Sequence, residues 1–375
     1  ARKGSAIRAM FEEGNRLRSE FGAENVYDFS LGNPDLPVEP ELTRTLLESA
    51  AEARHGYMSN TGFVEAREKV AREQSALSGV DVRADGIVMT VGAAGALNIT
   101  LRALLNPGDE VILFQPYFGE YLNYIRTWGG QPVICPAGRD FIPDLGQLES
   151  LITPRTQAVI MNSPNNPSGV VYPEAWLLEF AALLSAQDHP IYLISDEPYV
   201  EIVYDGVTVP SVLAHYENTI ICYSWSKKLS IPGERIGYAL VHPGAADYND
   251  LMGNLAVAMR NGYVNAPAIW QLTMTRLPDL EPNVEAYRRR RDALLLVLEN
   301  AGLDCTVPQG AFYLFPSTPI PDDEFVRLAA EEHILLVGGS GFGMKDHVRL
   351  AYCVSDETIQ RSAPAFRRLM DRIRS

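Results

Sequence analysis

The chain has 375 residues, 46% of them apolar and 21% charged, with a formal net charge of −15. That length suits two compact units better than one, with a core large enough to enclose a ligand. The acidic balance excludes nucleic-acid or membrane binding driven by bulk charge.

Taken in chain order, the N-terminal arm carries the loop Leu31-Gly32-Asn33-Pro34-Asp35. Val91-Gly92-Ala93-Ala94-Gly95 then passes from a strand into a helix over Gly95–Leu105. Small residues at a helix start let backbone N–H groups approach an anion such as phosphate. Short apolar runs follow at Val111–Phe114, Ala158–Met161, Ile191–Ile194 and Thr219–Tyr223, with an amphipathic helix at Glu174–Ser185. Buried strands alternating with helices predict a mostly parallel sheet covered on both faces, with ligands beyond the carboxyl ends of its strands. Past Ala286 the pattern changes to a long helix over Tyr287–Asn300, whose Arg288–Arg291 run reads as a solvated face. A strand at Phe312–Phe315, a helix at Asp322–Glu332 and strands at Ile334–Val337 and Val348–Tyr352 complete the chain. The expected fold is α/β, a large domain over 40–282 and a smaller α+β domain from 1–39 and 283–375.

Three loops carry chemistry. Ser224-Trp225-Ser226-Lys227-Lys228 leaves a buried strand, and Arg235 stands eight positions after Lys227. A lysine so placed can form an imine with an aldehyde cofactor, while Ser224, Ser226 and the planar fork of Arg235 hold a phosphate. Asp196, in Ser195-Asp196-Glu197-Pro198-Tyr199, can pair with a protonated pyridine nitrogen and keep the ring an electron sink. Tyr199, and Asn166 in Asn162-Ser163-Pro164-Asn165-Asn166-Pro167, can reach the phenolic oxygen of such a ring. A cis Asn166–Pro167 bond fits that constrained turn.

Together these motifs resemble the fold type I pyridoxal-phosphate aminotransferases, class I/II (aspartate/aromatic aminotransferase-like), from Gly32 to Arg349. The resemblance implies pyridoxal 5'-phosphate as cofactor, Lys227 as its Schiff-base lysine, and Ala93 and Ala94 as backbone donors to its phosphate. It implies Phe118 as the ring stacked on the cofactor, and Arg349 as the clamp on the substrate α-carboxylate, with Gly32 and Asn166 nearby. It also implies a homodimer with a shared active site, in which Tyr57 reaches the partner's cofactor phosphate. The expected reaction moves the amino group of an L-amino acid (aspartate, neutral or aromatic) to a 2-oxo acid such as 2-oxoglutarate by a ping-pong mechanism. A C–S β-lyase or decarboxylase on the same fold is the alternative. Ala94 supplies no cation for a substrate's distal carboxylate, and Arg126 and Arg260 stand as candidates, whereas Tyr27, Phe118, Tyr121 and Tyr263 offer apolar walls.

Four dispersed cysteines without a C-x-x-C pair argue against a metal site or disulfide scaffold and for a reducing compartment. With no signal-peptide pattern and no apolar run near the roughly 20 residues of a membrane span, a cytoplasmic protein is expected.

Overall fold

The computed structural model describes residues 6–52 and 54–375. Its strands are β1 (Tyr27–Asp28), β2 (Ile87–Thr90), β3 (Glu110–Phe114), β4 (Gln131–Cys135), β5 (Thr156–Asn162) and β6 (Tyr192–Asp196), then β7 (Thr219–Ser224), β8 (Gly237–Val241), β9 (Tyr313–Leu314), β10 (Ile334–Leu335), β11 (Val337–Gly338) and β12 (Val348–Ala351). A seven-stranded sheet runs β2-β8-β7-β6-β5-β3-β4. β8 is antiparallel to both of its neighbours, and the other pairings are parallel. Every residue of β2, β3, β6, β7 and β8 is buried, as expected for strands covered on both faces.

This topology positions the site. Because β8 reverses direction between β2 and β7, those two strands run the same way, and Thr90, Phe114, Asn162, Asp196 and Ser224 all end at one edge. β8 starts from that same edge, immediately after Arg235-Ile236. Residues far apart in sequence are thus gathered by strand direction alone.

Buried apolar side chains form two main clusters. One spans Leu42 to Leu277; the other joins Phe29, Tyr199, Ile202 and Tyr204 to residues from Tyr287 to Met370. The N-terminal arm reaches the second cluster through β1, whose Tyr27 and Asp28 pair in parallel with Ile334 and Leu335.

Two expectations need correction. Ile334–Val337 is two strands rather than one: β10 pairs with β1, and after Leu336 the backbone crosses to pair β11 with β12. The Arg288–Arg291 run is not wholly solvated, because four consecutive helical residues cover a full turn and cannot share one face. Arg290 and Arg291 turn inward and are buried. Arg290 bonds Asp35 at 2.6 Å and Asp356 at 3.0 Å, and Arg291 bonds Asp205 at 2.7 Å over the ring of Tyr204.

Candidate active site

At the common strand edge lies a cavity of about 530 Å³ lined by Gly32, Ala93, Ala94, Phe118, Asn166, Asp196, Tyr199, Ser224, Ser226, Lys227, Arg235 and Arg349, among others. Segments at five strand ends, the N-terminal arm at Gly32 and the C-terminal part at Arg349 therefore converge on one space.

Lys227 follows β7 directly. Its Nζ donates to the Gly32 carbonyl at 2.8 Å and lies 5.7 Å from the Phe312 ring centroid. Burial, more than the neighbouring charges, lowers its pKa to about 8, so a neutral, nucleophilic amine is accessible near physiological pH. Lys228 points elsewhere: its Nζ is 2.8 Å from Asp279.

Asp196 ends β6 inside the cavity wall. Its Oδ2 accepts from the Tyr121 hydroxyl, while Oδ1 is buried with no partner. Burial raises its pKa to about 7, against the opposing hydrogen bond from Tyr121. An ionised carboxylate with an open, buried oxygen calls for a cationic N–H donor. The protonated ring nitrogen of pyridoxal phosphate is such a donor. Behind this carboxylate, Asn162 Nδ2 donates to the Asp196 carbonyl at 2.8 Å, and Asn162 Oδ1 accepts from Asn166 N–H at 2.7 Å. Asn162 thereby ties the ends of β5 and β6 together, and the Asn166–Pro167 bond that follows is cis.

Opposite lies an anion cradle. The helix Gly92–Leu104 starts after β2 with no side-chain cap, and Ala93 and Ala94 in its first turn face the cavity. Arg235 holds a left-handed backbone with φ of 53°; its Nη1 bonds the Pro232 carbonyl at 2.8 Å and its Nη2 the Val91 carbonyl at 3.2 Å. Glycine is required at position 92, where φ is +78° and a Cβ would meet Arg235 Nη2 at 2.6 Å. The Ser224 and Ser226 hydroxyls share a 2.6 Å hydrogen bond beside it. Hydroxyls, uncapped N–H groups and a guanidinium together fit a phosphate.

On the C-terminal side, Arg349 is buried between two rings, 4.7 Å from the centroid of Tyr313 and 4.8 Å from that of Phe342. Its Nη1 donates to Asn166 Oδ1 at 3.1 Å and its Nη2 to the Ser30 carbonyl at 2.7 Å; its Nε has no partner. A fixed guanidinium with an open donor suits a carboxylate.

Tyr57 is not brought into this cavity: it is 94% exposed. Arg126, Arg260, Tyr27 and Tyr263 do not line it either. Tyr121, expected only as an apolar wall, is the hydrogen-bond partner of Asp196. Sequence reasoning missed Asn162, although it opens a motif already singled out, and missed Tyr313, which nothing local in the sequence marks.

The model of the family "Aminotransferase class I and II" matches residues 23–366. The aspartate/prephenate aminotransferase of Thermus thermophilus is 33% identical over 99% of this chain and 97% of its own. A probable aspartate/prephenate aminotransferase of Thermus aquaticus is 34% identical over 89% of each chain. Among solved structures, an aminotransferase from Eubacterium rectale superposes with a TM-score of 0.96 at 40% identity, covering 100% of this chain and 97% of that one. Thermus thermophilus aspartate aminotransferase with maleate superposes with a TM-score of 0.90 at 30% identity, covering 98% and 97%. The chain belongs to the class I and II aminotransferases. It is a pyridoxal-phosphate enzyme that moves an amino group between amino acids and 2-oxo acids. These matches favour transamination over the lyase and decarboxylase alternative.

Proposed function

We propose a broad-range aminotransferase that accepts neutral and aromatic donors as well as aspartate, with a 2-oxo acid such as 2-oxoglutarate as acceptor. One observation carries this reading. Among the described residues lining the cavity the cations are Lys227, Arg235 and Arg349, and in this reading they serve the imine, the phosphate and the α-carboxylate. This chain's own lining adds no further described cation for a distal carboxylate, while its Leu31, Phe118, Tyr124 and Tyr313 offer apolar surface. Aspartate stays in the range because relatives are named aspartate/prephenate aminotransferase.

Bound pyridoxal phosphate supplies the aldehyde that takes the amino group and the ring that spreads charge from the substrate α-carbon. Lys227 would hold the cofactor through its Nζ, and the free amine would take the proton from the substrate α-carbon and deliver it to the cofactor's aldehyde-derived carbon. Asp196 pairs with the ring nitrogen, oriented by Tyr121. Tyr199 and Asn166 would serve the phenolic oxygen, Phe118 would pack on the ring, and Arg235, Ser224, Ser226, Ala93 and Ala94 would hold the phosphate. Arg349 fixes the α-carboxylate beside Gly32. In this reading, segment 40–282 carries the cofactor, and 1–39 with 283–375 carries the clamp.

The working form is a homodimer. Tyr57, Tyr263 and Val264 are exposed, and Asn60 Nδ2 donates to the Val264 carbonyl at 2.7 Å, joining their two loops into one surface. That surface fits a second copy, with Tyr57 reaching the partner's phosphate. Unpaired cysteines and the absence, among described residues, of a helix able to cross a membrane support a cytoplasmic setting.

A donor panel of aspartate, alanine, leucine and phenylalanine against 2-oxoglutarate tests the range. The reading expects kcat/KM values within about a thousandfold of one another. A larger preference for aspartate, more than about 4 kcal/mol of discrimination, would overturn it. Subunit exchange between Tyr57→Phe and Lys227→Ala proteins tests the shared site: mixed dimers regain partial activity, and a monomer or no rescue counts against it.

A further inference from the structure

Tyr313 lines the cavity and contacts several of the residues singled out from the sequence. It lies on β9, whose Tyr313 pairs with Ala351 and whose Leu314 pairs with Leu350, so it stands one strand from Arg349. Its ring forms one wall of the Arg349 guanidinium, at 4.7 Å. Its hydroxyl is 2.9 Å from the Tyr199 hydroxyl. The same oxygen explains Gly32, where a Cβ would come within 2.0 Å of it. Gly32 in turn supplies the carbonyl that receives Lys227 Nζ. One buried side chain therefore packs against the clamp, the loop that parks the lysine, and Tyr199.

The Tyr199–Tyr313 contact has a direction once a ligand is bound. A phenol has one proton to give. If Tyr199 spends its proton on the cofactor's phenolic oxygen, it must accept in the contact with Tyr313, which must donate. Both phenols stay protonated through the working range, because burial raises Tyr199 well above its usual value and Tyr313 to about 12. The titratable and charged groups that act on Tyr199 include Tyr313, Arg349 and Asp196, and Tyr121 couples to it as well. A donor that itself accepts a hydrogen bond gives a stronger one.

We propose that Tyr313 is a positioning residue of the reaction, donating to Tyr199 and so fixing and strengthening the hydrogen bond that Tyr199 gives to the phenolic oxygen. This rests on the placement of Tyr199 at that oxygen. A proton donated there stabilises its negative charge and makes the adjacent imine nitrogen less basic. Loss of the Tyr313 hydroxyl therefore raises the pH at which the bound cofactor changes colour.

The test uses the cofactor-loaded wild type, Tyr313→Phe, Tyr199→Phe and the double variant, titrated by visible absorbance, with steady-state kinetics alongside. Tyr199→Phe should raise the spectral midpoint, and Tyr313→Phe should raise it less, by about 0.5 unit. The double variant should match Tyr199→Phe alone, because a relay cannot act through a missing hydroxyl. Tyr313→Phe should lower kcat several-fold with KM for the amino acid within about twofold, since the ring beside Arg349 is retained. A wild-type midpoint in Tyr313→Phe, or additive shifts in the double variant, would leave Tyr313 as a wall only and overturn the proposal. An unmoved midpoint in Tyr199→Phe would overturn the underlying placement of Tyr199, and the proposal with it.

Discussion

The Tyr121 hydroxyl donates to one oxygen of Asp196, and the other oxygen of that carboxylate is buried without a partner. Tyr121 fixes the carboxylate's orientation from the helix Glu120–Thr127, and the open oxygen is held ready for a ligand. The protein keeps a polar atom unsatisfied in its interior, and such an atom is costly until something binds it.

This arrangement has a signature in stability. Asp196 is raised from its ordinary 3.8 to about 7 by burial, so between those pH values the folded state keeps a proton that the unfolded state has lost. Stability of the cofactor-free protein therefore falls as pH rises through that window, by up to about 1.4 kcal/mol per unit, and levels off above it. Glu197, raised to about 7 by its own burial, acts with the same sign. Denaturation of wild type and Asp196→Asn at pH 5 and pH 7.5 isolates the Asp196 share: the variant should lose less stability between the two. In the loaded enzyme, Asp196→Ala should cost about 10³-fold or more in kcat while still binding the cofactor.

Arg349 is positioned by geometry that lysine cannot copy. Its guanidinium is flat between Tyr313 and Phe342 and bonds Asn166 and Ser30 at once. Arg349→Lys keeps the charge but loses the fork and the stacking. KM for the amino acid should rise roughly 10- to 100-fold, with the cofactor's absorbance unchanged.

Within one run of arginines, the folded environment separates structural from decorative charge. Arg290, 8% exposed, joins Asp35 of the N-terminal arm to Asp356 of the last helix. Both partners are partly solvated, so Arg290→Ala should cost about 1–3 kcal/mol in denaturant unfolding. Arg288 forms exposed ion pairs with Glu285 and Asp292 on its own helix surface, and Arg288→Ala should show no measurable loss.

The contrast between these residues shows what could be read in advance. Lys227, Asp196, Asn166 and the Gly92–Ala94 turn were legible because each lies at or just beyond the end of a buried strand, and strand direction in a parallel sheet brings such ends together. Spacing to Arg235 also favoured Lys227 over Lys228, and Lys227 lines the cavity with Ser224, Ser226 and Arg235 whereas Lys228 does not. Partnerships between distant elements leave no local trace. Tyr121 reads as an apolar ring until its hydroxyl meets Asp196, and Tyr313 reads as part of a short apolar run until it meets Tyr199. The inward turn of Arg290 depends on acids far away in sequence, which helical periodicity cannot reveal.

The assignment of Lys227 as the cofactor's anchor is the claim on which the rest depends. Its Nζ opens into the cavity and is made nucleophilic by burial, whereas Lys228 is paired with Asp279. Borohydride reduction of the yellow holoenzyme, followed by digestion and mass spectrometry of the labelled peptide, tests it directly. The reduced cofactor should be found on Lys227, and Lys227→Ala should take no label and lose about 10⁴-fold or more in activity. Label on Lys228, or a Lys227→Ala protein that is still reducibly labelled and active, would contradict the account.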